Sequence, residues 1–412
     1  MAKRSSICRL CHSKELVTVL DLGQQSLTGI FPKSKTELVP SGPLALIKCS
    51  TCGLVQLMHS YDSNQLYGDS YGYRSGLNSS MVRHLKNKVK AMQNFVVPKK
   101  NEYVIDIGSN DGTLLSFYSE NEAILVGFDP SAEKFKKYYR QDIKLITDFF
   151  SSTKFKEKFG ENKAKVITSI AMFYDLEDPL DFVKQVCSVL SDDGIWHFEQ
   201  SYLSSMLNVD AYDTVCHEHL EYYSLKQIKW IVDRAGLKII DVEKNSVNGG
   251  SFAITVAKKA ATYREVSQSI NDILHEEDVL ELDNIRTYKA FELRVQKHRD
   301  ELVSLLSRLK DENKKVYGYG ASTKGNVILQ YCGINDSLLP CIAEVNADKF
   351  GCYTPGTKIP ILSEKDVHAM KPDYLLVLPW HFKDNILERE KEYLAKGGKF
   401  IFPLPSLEIV GK

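Results

Sequence analysis

The chain has 412 residues, long enough for two or three domains that each bury a core. Lys+Arg and Asp+Glu both total 53, so the formal net charge is zero. Holding DNA or RNA by phosphate neutralisation usually takes a basic excess, so composition argues against a nucleic-acid partner and toward small-molecule chemistry. No apolar run reaches the ~18 residues that span a bilayer. The opening stretch MAKRSSICRLCHS is positively charged but has no apolar segment behind it. No secretory signal and no membrane partner are therefore expected, and the expected location is cytoplasmic.

Four of the nine cysteines form two pairs, Cys8-x-x-Cys11 and Cys49-x-x-Cys52. In a reducing compartment disulfides are rare, and two such knuckles supply the four thiolates of a tetrahedral zinc site. Gly53 follows the second knuckle and permits the tight turn around a metal–sulfur centre. Four protein ligands leave no open coordination position, so the expected zinc is structural. Residues 1–65 are expected to form this zinc-binding domain, with a loop over 12–48 lying on the site.

Residues 80–97, SMVRHLKNKVKAMQNFVV, carry a helical period. From 103 to about 260, apolar runs (YVIDIG, AILVGFD, AKVITSIAM, GIWHFEQ, LKIIDVE, SFAITVAKK) alternate with amphipathic ones. That alternation predicts a doubly wound α/β sheet, and the core is assigned to 66–262. Residues 264–312 are charged and periodic and predict long helices. A second α/β pattern follows (KKVYGYG, LPCIAEVN, PDYLLVLP, GKFIFPLP), so 263–412 is read as a helical linker and a C-terminal Rossmann-like domain.

In YVIDIGSNDGTLL, residues 103–115, a strand carries Asp106 and opens into the turn Gly108-Ser109-Asn110-Asp111-Gly112. Gly108 and Gly112 let a ligand approach the backbone. Asp129 ends the next strand about 20 positions on, placed to accept hydrogen bonds from ribose hydroxyls. Asp148 and Phe149 follow a third strand. The spacing D-x-G-x-x-x-G departs from the dinucleotide fingerprint G-x-G-x-x-G. An acid and a polar Ser-Asn-Asp turn suit a cationic cofactor without phosphates, which points to S-adenosylmethionine (SAM).

The order of these parts resembles the sugar C-methyltransferase family along nearly the whole chain. The likeness rests on the four cysteines, YGYRSGLNSSM (71–81), DIGSNDGTLL, HEHLEYYS, NGGSF (248–252), YGYGASTKGN and IAEVNADKFG. It implies a class I SAM-methyltransferase sheet between an N-terminal zinc-binding domain and a C-terminal Rossmann-like domain. It also implies a nucleotide-linked 4-keto-deoxysugar as substrate.

The segment YDTVCHEHLEYYS, 212–224, admits three readings: a His217-x-His219 metal site, a pair of structural histidines, or an acid/base site. Methylating carbon beside a ketone requires removal of an α-proton and stabilisation of the enolate. Histidine titrates near neutral pH, and a neighbouring carboxylate can fix its tautomer. By the resemblance, His219 is the general base and Glu218 its partner, with Tyr71 or Tyr73 lying over the site. Where the family pattern has tyrosine before HEH, this chain has Cys216, a poor donor. Enolate stabilisation is then expected from Tyr222, Tyr223, Tyr212, Tyr71 or Tyr73.

In the C-terminal block, Gly318 and Gly320 precede a helix whose start could hold a phosphate, with Ser322 and Lys324 beside it. Glu344 and Asn346 stand at the carboxyl end of the next strand. The resemblance implies that this domain holds the nucleotide. The expectation is an enolate-forming C-methyltransferase, acting as a monomer or small homo-oligomer. A sugar O-methyltransferase using the same SAM site and histidine is the alternative.

Overall fold

Short apolar runs between turn residues occupy much of the first sixty positions and form strands. The computed structural model describes residues 2–62, 66, 73–120 and 122–411. Strand β1 (Lys3–Arg4) pairs with β5 (His59–Ser60). Strands β2 (Leu16–Ser26), β3 (Ser41–Cys49) and β4 (Val55–Leu57) make an antiparallel sheet. Cys49 ends β3, and the chain turns through Gly53 at φ +79°, a left-handed conformation that glycine adopts without strain.

The central sheet contains β6 (Tyr103–Ile107), β7 (Ile124–Phe128), β8 (Lys144–Ile146), β9 (Ala164–Ile170) and β10 (Leu190–Ser201). After β10 the chain makes β11 (Glu221–Tyr222), then β12 (Leu237–Asn245) and β13 (Ser251–Lys258). The order is β12-β13-β10-β9-β6-β7-β8, with β13 antiparallel to both neighbours and β10 through β8 paired in parallel. Every residue of β6 is buried because both faces are covered, as a parallel sheet demands. Helix Ser79–Gln93 lays Met81, Leu85, Val89 and Met92 on one face; Phe155, Phe159 and Phe182 pack on the other. Asn78 caps that helix by accepting from Ser80 N. Strand order reverses between β6 and β9, which opens a crevice beyond their carboxyl ends.

The two residues of β11 do not stay in the central sheet. They pair with β4, so the first sheet runs β11-β4-β3-β2 and borrows its edge strand from the middle of the chain.

The charged stretch after β13 folds as helices Ser267–Val279 and Ile285–Asp311. The second buries Tyr288, Phe291, Val295, His298, Leu302, Leu305 and Leu309, a three-and-four spacing that forms one apolar stripe. That stripe shares a core with Val19, Leu44 and Leu46 of the first sheet and Val327 and Ile328 of the last domain. The last sheet contains β14 (Val316–Tyr319), β15 (Ile342–Glu344), β16 (Ile361–Ser363), β17 (Tyr374–Val377), β18 (Lys399–Phe402) and β19 (Glu408–Val410). Its order is β16-β15-β14-β17-β18-β19, parallel except for β19. Among the described residues, no helix is long and apolar enough to cross a membrane.

Candidate active site

The turn after β6 sits at the crevice. Gly108 and Gly112 both take φ +75°, and a Cβ at Gly112 would stand 2.9 Å from the Tyr139 ring. Asp106 is 3% exposed and accepts from Thr168 Oγ1 at 2.6 Å; burial pushes its carboxyl up to about 7. Asp129, at the end of β7, accepts from Asn110 N (2.8 Å) through Oδ2 and from Ser131 N and Oγ through Oδ1. A carboxylate has about four lone-pair sites, so Oδ2 keeps capacity for a ribose hydroxyl. A buried acid, two left-handed glycines and a second acid across the turn fit SAM. Asp129→Ala is expected to weaken SAM binding about ten-fold, as loss of a charged hydrogen bond should, and calorimetric titration measures it.

Other crevice residues are placed differently from their sequence assignment. Asn110 Oδ1 accepts from Ser75 N and Asp111 Oδ2 from Gly76 N, so these side chains tie segment 73–77 onto the turn. Asn110 Nδ2 donates to the Tyr73 carbonyl; the Tyr73 side chain is 47% exposed. Tyr71 lies outside the described residues. Asp148 is half exposed and paired with Lys154 at 2.5 Å, which holds its carboxyl below the usual range. Phe149 is exposed beside it, while Phe150 packs on Phe128 and Phe182.

Across the crevice, the loop between β10 and β11 presents the histidines. His219 Nδ1 donates to the Thr214 carbonyl at 2.9 Å, which fixes the tautomer and leaves Nε2 as the lone-pair nitrogen. The Tyr174 ring, in the turn after β9, lies 4.2 Å from the His219 ring centroid. Burial, with the nearby Lys324 charge, lowers His219 to about 3, so the imidazole is neutral at physiological pH. The carboxylate orientation expected from Glu218 is absent: a backbone carbonyl takes that place, and Glu218 Oε2 has no partner among the described residues. Burial raises the Glu218 carboxyl. Tyr222 OH donates to the same Thr214 carbonyl at 3.3 Å, so it stands behind the histidine. His217 is fully buried, edge-on to Tyr61 at 4.6 Å, with the backbone of Gly42 and Gln25 beside its ring.

The C-terminal domain closes the site. Lys324 Nζ donates to Asn248 O at 2.7 Å, within the NGGSF turn. Trp380 Nε1 donates to Asp213 Oδ2 at 2.8 Å, which ties this domain to the histidine loop. His381, lowered to about 3 by burial and by Lys324, is next in sequence. Lys324 itself is lowered by burial, against the opposing charge of Asp213.

The remaining glycine-loop residues make the following contacts within the fold. Ser322 caps helix Thr323–Tyr331 by accepting from Gly325 N. Glu344 accepts from Val345 N and Asn346 N through Oε1 and from Ala321 N through Oε2, a pattern like that of Asp129. Asn346 accepts from Asp348 N. Gly320 is at φ +81°, where a Cβ would stand 2.6 Å from Pro379.

The sulfurs of Cys8, Cys11, Cys49 and Cys52 all lie within 4.8 Å of one another. Cys8–Cys52 is 3.5 Å and Cys11–Cys49 is 3.6 Å. Zinc–sulfur bonds of about 2.3 Å in a tetrahedron put sulfurs about 3.8 Å apart, so the four fit zinc.

Three family models match the chain in series: "Putative zinc binding domain" over 8–67, "Methyltransferase domain" over 81–242, and "C-methyltransferase C-terminal domain" over 246–405. The C-methyltransferase NovU of Streptomyces niveus is 28% identical over 406 residues, 98% of this chain and 96% of its own. The chain is similar to C-methyltransferases along nearly its whole length. Solved structures similar to this enzyme include the plantazolicin methyltransferase BpumL in complex with SAH. That match is 14% identical, covers 45% of this chain and 87% of the other, and has TM-score 0.35. Another is a SAM-dependent methyltransferase from Clostridium acetobutylicum, at 11% identity, 44% and 92% coverage and TM-score 0.33.

The site gathers residues that sequence reasoning passed over. Tyr174 stands at the carboxyl end of β9, where α/β folds carry function, and its position was the available signal. Thr214 acts through its carbonyl, which no side-chain pattern reveals. Asp213 is fully buried beside the histidines and gave no spacing signal.

Proposed function

We propose that the enzyme methylates a carbon next to the ketone of a nucleotide-linked 4-keto-deoxysugar, with His219 removing the α-proton. The reading is carried by one observation: an imidazole anchored through Nδ1 by Thr214, with Nε2 left to take a proton. As the proton moves to Nε2, negative charge grows on the ketone oxygen. Lys324 brings a cation to this loop, and a cation in a buried site offsets such charge strongly. SAM, held by Asp106, Asp129 and the Gly108–Gly112 turn, supplies an electrophilic methyl group on a sulfonium. The C-terminal domain then has the nucleotide to hold, and its closure through Trp380 and Lys324 keeps water from the enolate.

The test is a panel of nucleotide-linked 4-keto-deoxysugars incubated with SAM, with products read by mass and carbon NMR. A new carbon–carbon methyl bond on one member supports the reading. A methyl ether, or no product from any keto-sugar, contradicts it.

A further inference from the structure

We propose that Arg9, between the two cysteines of the first knuckle, positions His219 and Tyr174 by locking both walls of the catalytic site to the zinc-binding segment. The inference rests on reading His219 as the base.

Arg9 is 5% exposed although it carries a charge. Its Nη1 donates to Leu57 O at 2.8 Å and its Nη2 to Ser60 Oγ at 2.9 Å. Its Nε lies 3.2 Å from Glu177 Oε2 and 3.7 Å from Glu221 Oε1. Glu177 follows Tyr174 by three residues, and Glu221 follows His219 by two. One guanidinium therefore reaches the segments that carry both site residues, a span that the planar fork of arginine can make and a lysine cannot.

The backbone repeats the connection. Strand β4 starts three residues after Cys52 and pairs with β11, Gln56 opposite Glu221 and Val55 opposite Tyr222. Leu57 N donates to Leu220 O at 2.8 Å, and Leu220 N donates to Tyr174 O at 2.8 Å. Gln56 Oε1 accepts from Arg9 N, and Gln227 Nε2 donates to Cys52 O. Apart from the Leu220–Tyr174 bond, each link begins or ends at a residue within five positions of a knuckle cysteine. With zinc bound, the two knuckles are one rigid unit, and His219 inherits its place from that unit. The zinc segment thus sets the geometry of a reaction in which the metal takes no part.

Hydrogen exchange read by mass spectrometry on the full chain tests this without needing the acceptor. Chelating zinc is expected to speed exchange at Leu57, Leu220 and Tyr222 about ten-fold, while β6 keeps its protection. Arg9→Lys should do the same with zinc still near one per chain. Glu177→Gln changes a largely exposed side chain, so it spares the fold; it should raise exchange at Leu220 about three-fold. On an acceptor that is turned over, Arg9→Lys should lower kcat about ten-fold with KM and SAM affinity little changed. Unaltered exchange at Leu220 and Tyr222 after zinc removal, or in Arg9→Lys, overturns the proposal. So does a loss of protection that spreads equally into β6. Failure to find any acceptor would bear on the keto-sugar reading alone.

Discussion

Replacing His219 by Asn is expected to lower kcat by about three orders of magnitude while leaving SAM affinity within a few-fold. Asparagine is close in size, and its amide N–H can still donate to the Thr214 carbonyl that anchors the imidazole. It has no basic nitrogen to receive a proton, so only the acid/base function is removed. The crevice that fits SAM lies on the other wall, beyond β6 and β7, which is why the cofactor should bind as before. Steady-state kinetics and SAM titration measure the two together. A kcat within ten-fold of the parent would remove His219 from the base role.

Lys324→Met is expected to lower kcat about a hundred-fold, the loss typical when one donor to a developing oxyanion is deleted. It should also move the pH profile. Burial first, and then the Lys324 charge, hold His219 down to about 3 in the parent. Without the cation, protonating His219 becomes easier and its pKa rises. The base form is then lost at a higher pH, so the acid limb of kcat/KM shifts upward. A Lys324→Met variant with lowered kcat and an unmoved acid limb would make Lys324 a packing residue at the domain junction. An unchanged kcat would remove it from the chemistry.

The parts legible in the sequence are those whose chemistry is local. The two CxxC knuckles fold into the only cluster of metal-ligating groups found among the described residues. The glycine turn and Asp129 meet as neighbouring strands should place them, because a βαβ unit brings the ends of consecutive parallel strands together. The heptad-like stripe of 285–311 was visible as period alone.

What the sequence hid was decided by packing between domains or by backbone groups. Lys324 lies in a glycine loop and reads as a phosphate ligand, yet domain closure carries it to Asn248. Glu344 reads as a ligand-facing acid, and the structure adds that it ties the turn after β14 to its own loop by accepting from Ala321 N, Val345 N and Asn346 N. Strand β11 has two residues, too few for any period, and its partner lies more than 160 positions earlier. Arg9 stands at an unspecified position of Cys8-x-x-Cys11, where the motif gives no signal of its contacts.

The measurement closest to the central claim is α-proton exchange in heavy water, with a nucleotide-linked 4-keto-deoxysugar and the demethylated cofactor in place of SAM. Deuterium should enter the carbon beside the ketone with the parent enzyme and stay out with His219→Asn. Methyl transfer to the same sugar without any such exchange in the parent would contradict proton abstraction by His219.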